Sequence, residues 1–264
     1  EIDNKGTSSL IDHLRLCGNI PECFSHDSTE EKLYSKYTDC LLSASFSSMG
    51  FKSIVLKERA NVADVDVFGK TYSFVADAKA FRLSRTAKNQ KDFKVQAMDS
   101  WKHGKPYAMV VCPIYQLPST QSQIYQQATS RDVCIFTYTH LALIVKYASL
   151  EGNENAESLI KEIFKTIEAM NPSKKAADYW ITINKLILSF SNILSELWKE
   201  EKNVSTESIK IAKEHDLLYL ADERSKIMNM SHEEALLEII KMSKIDSKIE
   251  TIEKVTENNI FLLK

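Results

Sequence analysis

The sequence predicts an α/β fold, in which helices flank a mixed central β-sheet and a mostly helical C-terminal half follows. In the first half, apolar residues occupy every second position at 63–68 and 71–79, and an uninterrupted apolar run spans 107–115. The alternating pattern is typical of strands buried on one face, and the continuous run of a strand buried on both. In the second half, the spacing of apolar residues becomes helical.

Capping and turn residues set the limits of the first elements. A helix is predicted over 29–47, because Ser28 or Thr29 can cap it and acidic residues follow in its first turn. Gly69 and Lys70 predict a two-residue hairpin turn between the two alternating segments. The remaining predicted elements of the first half are a helix over 86–103, a strand over 107–115, a short helix near 119–129, a strand near 132–138 and a helix near 139–149.

The second half is expected to be all helical, because strand signals fade after about residue 151. Helical spacing and long polar faces occur at 153–170, 174–202, 205–228, 232–242 and 245–256. We therefore expect an α/β core over 1–150 and a helical portion over 151–264, within one continuous domain. The helices of the second half are candidates for a subunit interface.

Composition narrows the class of protein. The 264 residues include no apolar run near the roughly 20 residues that a membrane-spanning helix needs, so no membrane association is expected. The polar N-terminus does not resemble a signal peptide. Five cysteines without a CxxC pair argue against a disulfide framework and a structural zinc site, so a reducing cytoplasm is expected. Glycine-rich phosphate-binding loops are absent from the sequence, so no nucleotide cofactor is expected.

One segment is strongly basic although the net charge of the chain is only −2. Between Lys79 and Lys105 there are eight Lys or Arg residues and two acidic ones. A focused basic segment on a near-neutral protein indicates an anionic partner such as nucleic acid. The alternative is an ordinary solvated helix face.

The predicted hairpin brings acidic and basic side chains together. Side chains alternate between faces with a period of two, so Asp77 and Lys79 share a face. With the turn at residues 69 and 70, Asp64 is the diagonal neighbour of Asp77 on that face, whereas Asp66 lies nearer the turn. Two carboxylates this close favour a bound cation.

A divalent metal site is one interpretation of this pattern. Mg²⁺ would be held by Asp64, Asp77 and the backbone carbonyl of Ala78, and Lys79 would position a water or stabilise charge on a phosphate. The order Asp, then Asp-x-Lys, is that of PD-(D/E)xK nucleases, although Ala63 stands where the nominal Pro would be. The alternative is a surface ion pair at a sheet edge.

A fourth catalytic acid is expected from the helix over 29–47. Glu31 is the candidate, and the alternative is that it only complements the helix dipole, as is expected of Glu30. The polar run behind Lys79 supplies side chains suited to bases and phosphates. The candidate DNA-binding residues are Arg82, Ser84, Arg85, Thr86, Lys88, Asn89, Gln90, Lys91 and Lys94.

Several segments of the chain resemble the HindIII family of type II restriction endonucleases. The likeness is densest in FRLSRTAKNQKDFKV, at 81–95. Further similar segments are STEEKLYSK at 28–36, RANVAD at 59–64, SQIY at 122–125, HLALI at 140–144 and SKIETI at 247–252. The likeness is weak over 150–230.

This resemblance implies a Mg²⁺-dependent homodimer of the bacterial cytoplasm that cuts double-stranded DNA. It implies cleavage of the palindrome AAGCTT after the first A, leaving 5′ overhangs, and a cognate DNA methyltransferase acting on the same site. The catalytic residues of the family fall on Asp64, Asp77 and Lys79, and the helical half is expected to clasp DNA or form the dimer. The alternatives are a structure-specific repair or junction nuclease and a non-catalytic DNA-binding dimer.

Overall fold

In the computed structural model, the described residues are 2–57, 62–85 and 90–256. They form a five-stranded sheet in the order β1-β2-β3-β4-β5. The strands are β1 (Lys52–Val55), β2 (Val65–Phe68), β3 (Ser73–Ala78), β4 (Tyr107–Cys112) and β5 (Val133–Thr137). β1, β2 and β3 pair antiparallel, whereas β3, β4 and β5 pair parallel. The predicted α/β class with a mixed sheet is confirmed.

Eleven α-helices accompany the sheet in the described part of the chain. They are α1 (Ile2–Leu16), α2 (Thr29–Ser48), α3 (Gln90–Phe93), α4 (Val95–Trp101), α5 (Gln123–Thr129), α6 (Tyr138–Glu151), α7 (Asn153–Ala169), α8 (Ala176–Phe190), α9 (Asn192–Met228), α10 (His232–Met242) and α11 (Ile245–Glu253). Short 3₁₀ turns occupy Ile114–Gln116 and Lys254–Thr256. None of the described helices is both long enough and apolar enough to cross a membrane.

The hairpin of β2 and β3 differs from the predicted one. Phe68 pairs with Ser73, so the connection has four residues rather than two, and the Gly69 N–H donates to the carbonyl of Tyr72 at 2.9 Å. The partners of every β2 residue are therefore displaced by two positions from the predicted register. A displacement of two leaves each side chain on the face that alternation predicts.

The hydrophobic core lies around the parallel half of the sheet. All five residues of β5 are buried, as are all but the first residue of β4, which explains their continuous apolar sequences. Phe46 of α2 packs edge-on against Phe74 of β3 with ring centroids 5.1 Å apart, and Phe164 of α7 approaches Phe74 at 4.9 Å. The core thus fixes the strand that carries Asp77.

Helix boundaries depart from the predicted ones in two places. The predicted helix over 174–202 is interrupted at Ser191, and its second part continues without a break to Met228 as α9. Of the predicted helix over 86–103, residues 86–89 lie outside the described part of the chain, and the rest is divided where Lys94 adopts a left-handed φ of 48°.

The chain divides into two compact units, at 1–216 and 217–264. The first unit contains the whole sheet. The second includes the end of α9, together with α10 and α11. This boundary concerns compactness, whereas the division expected near residue 150 concerns function, with an α/β core before it and a helical portion after it. The functional division stays a prediction.

Candidate active site

Asp77 and Lys79 lie at the carboxyl end of β3, where the sheet is parallel. Asp77 pairs in register with Val110 of β4, and the Lys79 N–H continues that ladder by donating to the carbonyl of Val111 at 2.8 Å. Ligand sites in such sheets form beside the carboxyl ends of parallel strands. This end of the sheet is therefore a position suited to chemistry.

Asp64 lies beside this strand end, one residue before β2. Its Oδ2 accepts a hydrogen bond of 3.0 Å from the backbone N–H of Ala78. Val65 pairs with Ala76, so the register carried one residue further sets Asp64 opposite Asp77. The predicted register set Asp64 diagonal to Asp77 instead, and the longer hairpin loop accounts for the difference.

The Lys79 ammonium forms an ion pair with the Asp77 carboxylate. Asp77 is 2% exposed and Lys79 9% exposed, so both charges lie out of bulk water. Asp66, on the same face of β2, pairs instead with Lys105, with an Nζ to Oδ1 distance of 3.0 Å. The structure therefore brings together Asp64, Asp77 and Lys79 and directs Asp66 elsewhere.

Burial, followed by the charges of Asp77 and Asp39, raises the pKa of Asp64 to about 7, while Lys79 and the Ala78 N–H act in the opposite direction. A carboxyl with such a pKa is half protonated near neutrality. A cation beside it would favour the ionised form. The site thus holds more negative charge than its one lysine neutralises.

Asp39 is a further acid of this site, and it was not among the residues predicted from the sequence. It is 4% exposed on the inner face of α2, and burial raises its pKa, with Asp77 also raising it and Lys36 and Lys79 lowering it. The Lys36 Nζ lies 2.6 Å from Asp39 Oδ2. A signal was present in the sequence, because an aspartate beside Leu41 and Leu42 interrupts the apolar face of the helix.

Glu31, the acid predicted from the same helix, has other partners. Ser28 caps α2 as expected, accepting from the Glu31 N–H at 3.2 Å. The Glu31 carboxylate accepts from the Asp27 N–H at 2.6 Å and from Arg82 at 2.5 Å. His26, Asp27 and Glu31 form a group whose ligand-type atoms lie within 4.8 Å of one another.

A cleft of about 600 Å³ opens beside the residues that follow Lys79. Its walls include Glu31 and Lys32 on one side and Phe81, Arg82 and Arg85 on the other. The cleft therefore joins the N-terminal part of α2 to the start of the basic segment.

Within the described part of the basic segment, several positive side chains have acidic partners in the protein. Arg82 pairs with Glu31, and Arg85 pairs with Asp92 while lying over the ring of Phe81. Lys102 and Lys105 follow the same rule, pairing with Asp99 and Asp66. The excess positive charge counted in the sequence is thus partly neutralised by folding.

The other predicted DNA-binding residues are less fully described. The Ser84 N–H donates to Glu22 at 3.1 Å, and Lys94 lies over the ring of Trp101 at 5.5 Å. Thr86, Lys88 and Asn89 lie outside the described residues, as do the side chains of Gln90 and Lys91 at the start of α3.

Comparisons of the sequence with a family model and with a known enzyme agree with each other. Residues 1–256 match the family model described as HindIII restriction endonuclease. The chain is 36% identical over 253 residues to the type II restriction enzyme HindIII of Haemophilus influenzae strain Rd, covering 93% of this chain and 83% of that protein. Among solved structures, the small subunit of a heterodimeric restriction endonuclease matches with a TM-score of 0.47 and 12% sequence identity, covering 67% of this chain and 98% of that one.

Proposed function

This chain belongs to the HindIII restriction endonuclease family, and from that premise we propose that it cuts double-stranded DNA at the palindrome AAGCTT, after the first A, leaving 5′ overhangs. As a homologue of a type II restriction enzyme, it is a hydrolase of phosphodiester bonds that acts on DNA. The observation that carries the proposal is the group formed by Asp64 with the buried Asp77 and Lys79, beside a cleft with two arginines.

Type II restriction enzymes typically use a divalent metal ion, and the proposed ion here is Mg²⁺. The donor set fits it, since carboxylate and carbonyl oxygens are the protein ligands that Mg²⁺ prefers. Asp64, Asp77 and the carbonyl of Ala78 would hold the ion, with Asp39 adding a nearby charge. When bound, Mg²⁺ supplies Lewis-acid activation of water and of the phosphate.

The protein's own residues perform the remaining tasks. The Lys79 ammonium, held in place by Asp77, would orient a water molecule or stabilise negative charge that develops on the scissile phosphate. Burial of both charges strengthens this electrostatic effect relative to bulk water. Glu31 remains the proposed fourth catalytic acid, and it would act through its contact with Arg82.

The cleft beside Phe81 is the proposed path of the DNA backbone. Arg82 and Arg85 line it and would contact phosphate or base edges, after exchanging their acidic partners for the nucleic acid. The remaining proposed DNA-binding residues are Ser84, Thr86, Lys88, Asn89, Gln90, Lys91 and Lys94. A palindromic target matches a protein with two-fold symmetry, so the proposed active form is a homodimer.

The second compact unit, from 217 onward, is the proposed dimerisation element. None of the residues of α10 and α11 is buried, and fourteen large apolar side chains between Leu217 and Val255 are at least 38% exposed. A helical segment without a core of its own is not expected to be stable in water. These helices therefore need a covering surface.

Area and charge both favour a second copy as that surface. Burial of apolar surface stabilises by about 25 cal/mol per Å², and burial of a whole leucine side chain by roughly 2 kcal/mol. The ratio of these two values gives each side chain a surface on the order of 80 Å². Fourteen such side chains at roughly half exposure give about 600 Å², close to the roughly 800 Å² that each partner buries in a stable dimer. Residues 217–256 carry eight acidic and six basic residues, which argues against DNA as the covering surface.

Digestion of a plasmid of known sequence, with and without Mg²⁺, tests the proposed function. We expect discrete fragments whose sequenced ends begin with AGCTT, and no cutting in EDTA. Discrete ends at another palindrome would overturn only the proposed target. Random degradation, a preference for branched DNA, or binding without hydrolysis would overturn the site-specific nuclease itself.

A further inference from the structure

The backbone of Lys79 is held by contacts on two sides. Its N–H donates to Val111 of the neighbouring strand at 2.8 Å, and its carbonyl accepts a 2.9 Å hydrogen bond from the hydroxyl of Tyr138. Two residues further on, the Phe81 N–H donates to the carbonyl of Gly18 at 2.9 Å. Tyr138 thus supplies a side-chain contact at the point where Lys79 leaves the strand, beyond the last residue of β3.

The position of Tyr138 follows from the sheet. It is the first residue of α6, directly after β5, and its side chain must reach past β4 to meet Lys79. It is 2% exposed, so the hydroxyl and the carbonyl it contacts lie out of bulk water. Burial raises the pKa of Tyr138 well above its ordinary value, which keeps the hydroxyl protonated as a donor.

Gly18 holds the other side of the tyrosine ring. A Cβ at this position would lie 2.8 Å from Cε2 of Tyr138 and 2.6 Å from Cγ of Pro113, and the φ of Gly18 is +94°. Only glycine allows the loop after α1 to approach this closely. The ring is therefore confined between that loop and the sheet.

We infer that Tyr138 is a positioning residue for Lys79. The Tyr138 hydroxyl fixes the Lys79 main chain and thereby the direction in which the Lys79 ammonium points. The inference rests on the proposed nuclease function, in which Lys79 acts at the scissile phosphate. Tyr138 does not itself contact the reacting atoms.

Loss of this hydroxyl leaves a buried carbonyl without its donor. Such a group relaxes by shifting the chain, and displacement of a catalytic group by about 1 Å can cost on the order of 100-fold in rate. Because Lys79 lies two residues after Asp77 on one continuous backbone, the shift changes the geometry of the Asp77–Lys79 pair. The proposed effect is on the chemical step, with no change in DNA affinity.

A purely structural role for Tyr138 is the alternative, and Tyr179 provides the matched control. The Tyr179 hydroxyl is equally buried, accepts from the Ile135 N–H at 2.8 Å and donates to the Ile135 carbonyl at 2.9 Å. It therefore satisfies two backbone groups of a core strand, one more than Tyr138 does, but none of them belongs to Lys79. If stability alone mattered, Tyr179→Phe would reduce activity at least as much as Tyr138→Phe.

The experiment compares the full-length wild-type protein with Tyr138→Phe and Tyr179→Phe. Single-turnover cleavage is measured at saturating DNA and Mg²⁺, DNA affinity by fluorescence anisotropy without metal, and thermal stability by calorimetry. We expect Tyr138→Phe to cleave roughly 10- to 100-fold more slowly with unchanged DNA affinity, and Tyr179→Phe to cleave at the wild-type rate well below its own Tm. Equal rates for wild type and Tyr138→Phe would overturn the inference, as would equal losses in both variants.

Rescue provides a second, independent readout. Incorporation of para-aminophenylalanine at position 138 keeps the ring and restores an N–H donor at the same point. We expect it to recover most of the lost rate, and failure to do so while the protein stays folded would contradict the assigned role. Absence of cutting by the wild-type protein would instead refute the proposed function, so the two failures are distinguishable.

Discussion

The parallel end of the sheet and the C-terminal helices differ in which kind of side chain they bury. At the sheet end, Asp77 and Lys79 are buried at great electrostatic cost and held by a close-packed core. In the second unit, aliphatic side chains such as Leu237 and Ile252 remain 62% and 69% exposed. The sheet end buries charged side chains, which water would stabilise. The second unit exposes apolar side chains, which are more stable out of water.

Each anomaly has a physical interpretation of its own. Buried charge is retained where it does chemistry or binds an ion, because apolar replacements would often be more stable. Exposed apolar surface on this scale marks an interaction site. The comparison supports the proposed division, with chemistry in the first unit and dimerisation in the second, and the division can be tested by changing either region alone.

The largest expected effect comes from Lys79→Ala. Removal of the ammonium should reduce the cleavage rate by on the order of 1,000-fold or more, because charge stabilisation at the phosphate is lost. DNA binding should stay nearly unchanged. Quantified cleavage of a fragment with a single site measures this effect.

Lys105→Ala is the matched control for that variant. Lys105 also pairs with an aspartate of the hairpin, Asp66, but not with the site acids. We expect its cleavage rate to stay within a few-fold of wild type, as the loss of an ion pair away from the site predicts. A similar loss in both variants would show that the chemistry is not confined to the sheet end.

The next effect tests the second unit. Leu237→Asp places a charge in the exposed apolar surface of α10 and should weaken dimerisation by about 100-fold, since a buried unpaired charge is strongly disfavoured. Analytical ultracentrifugation measures the dissociation constant directly. Glu238→Lys, on the same helix, changes charge without touching the aliphatic side chains and should have little effect. A monomeric wild-type protein, or an unchanged Leu237→Asp dimer, would refute the assignment.

A smaller effect distinguishes the two acids of α2. Asp39→Asn removes a charge whose field reaches Asp64, so the Mg²⁺ concentration for half-maximal cleavage should rise about tenfold. Glu31→Gln should leave that concentration unchanged and alter DNA affinity through Arg82. The reverse result would show that Glu31, and not Asp39, is the acid of α2 that acts at the metal.

The smallest effect is the pH dependence of stability without metal. Because the pKa of Asp64 is raised to about 7, the folded protein holds a proton there that the unfolded chain releases near pH 4. The proton on Asp64 therefore stabilises the folded protein at low pH. This contribution to the free energy of unfolding falls as the pH rises from about 4 to 7, and it stays constant above pH 7. In EDTA, the Tm difference between wild type and Asp64→Asn should change by a few degrees between about pH 5 and 8. No change would indicate an ordinary pKa.

Much of the fold was predictable because its signals are local. Ser28 caps α2, and the helix over 232–242 has the limits that its apolar spacing indicates. β1 was missed because four residues are too few to establish alternation. α1 was missed because its start is polar and Gly6 breaks the helical backbone with a φ of 68°.

Of the candidate site, the sequence predicted only the part that follows from the alternation of side chains along the strands. Alternation still places Asp64 and Asp77 on one face, because the observed hairpin loop is longer than the predicted one by an even number of residues. It does not reveal that Asp39 lies about two turns beyond Glu31 on the side of α2 facing the sheet, since that depends on how the helix packs. Nor does a count of charges reveal their partners, as Arg82 and Arg85 illustrate.

The pairing of Arg82 with Glu31 and of Arg85 with Asp92 has a consequence for the search for a target. If the two arginines contact DNA as proposed, each gains a phosphate of random DNA only by giving up its carboxylate, so the net release of counterions is small. Transient encounters along a genome should then be weak and only mildly sensitive to salt. The protein should stay bound for long only at a target sequence, where contacts with base edges compensate for the loss of the two arginine–carboxylate pairs.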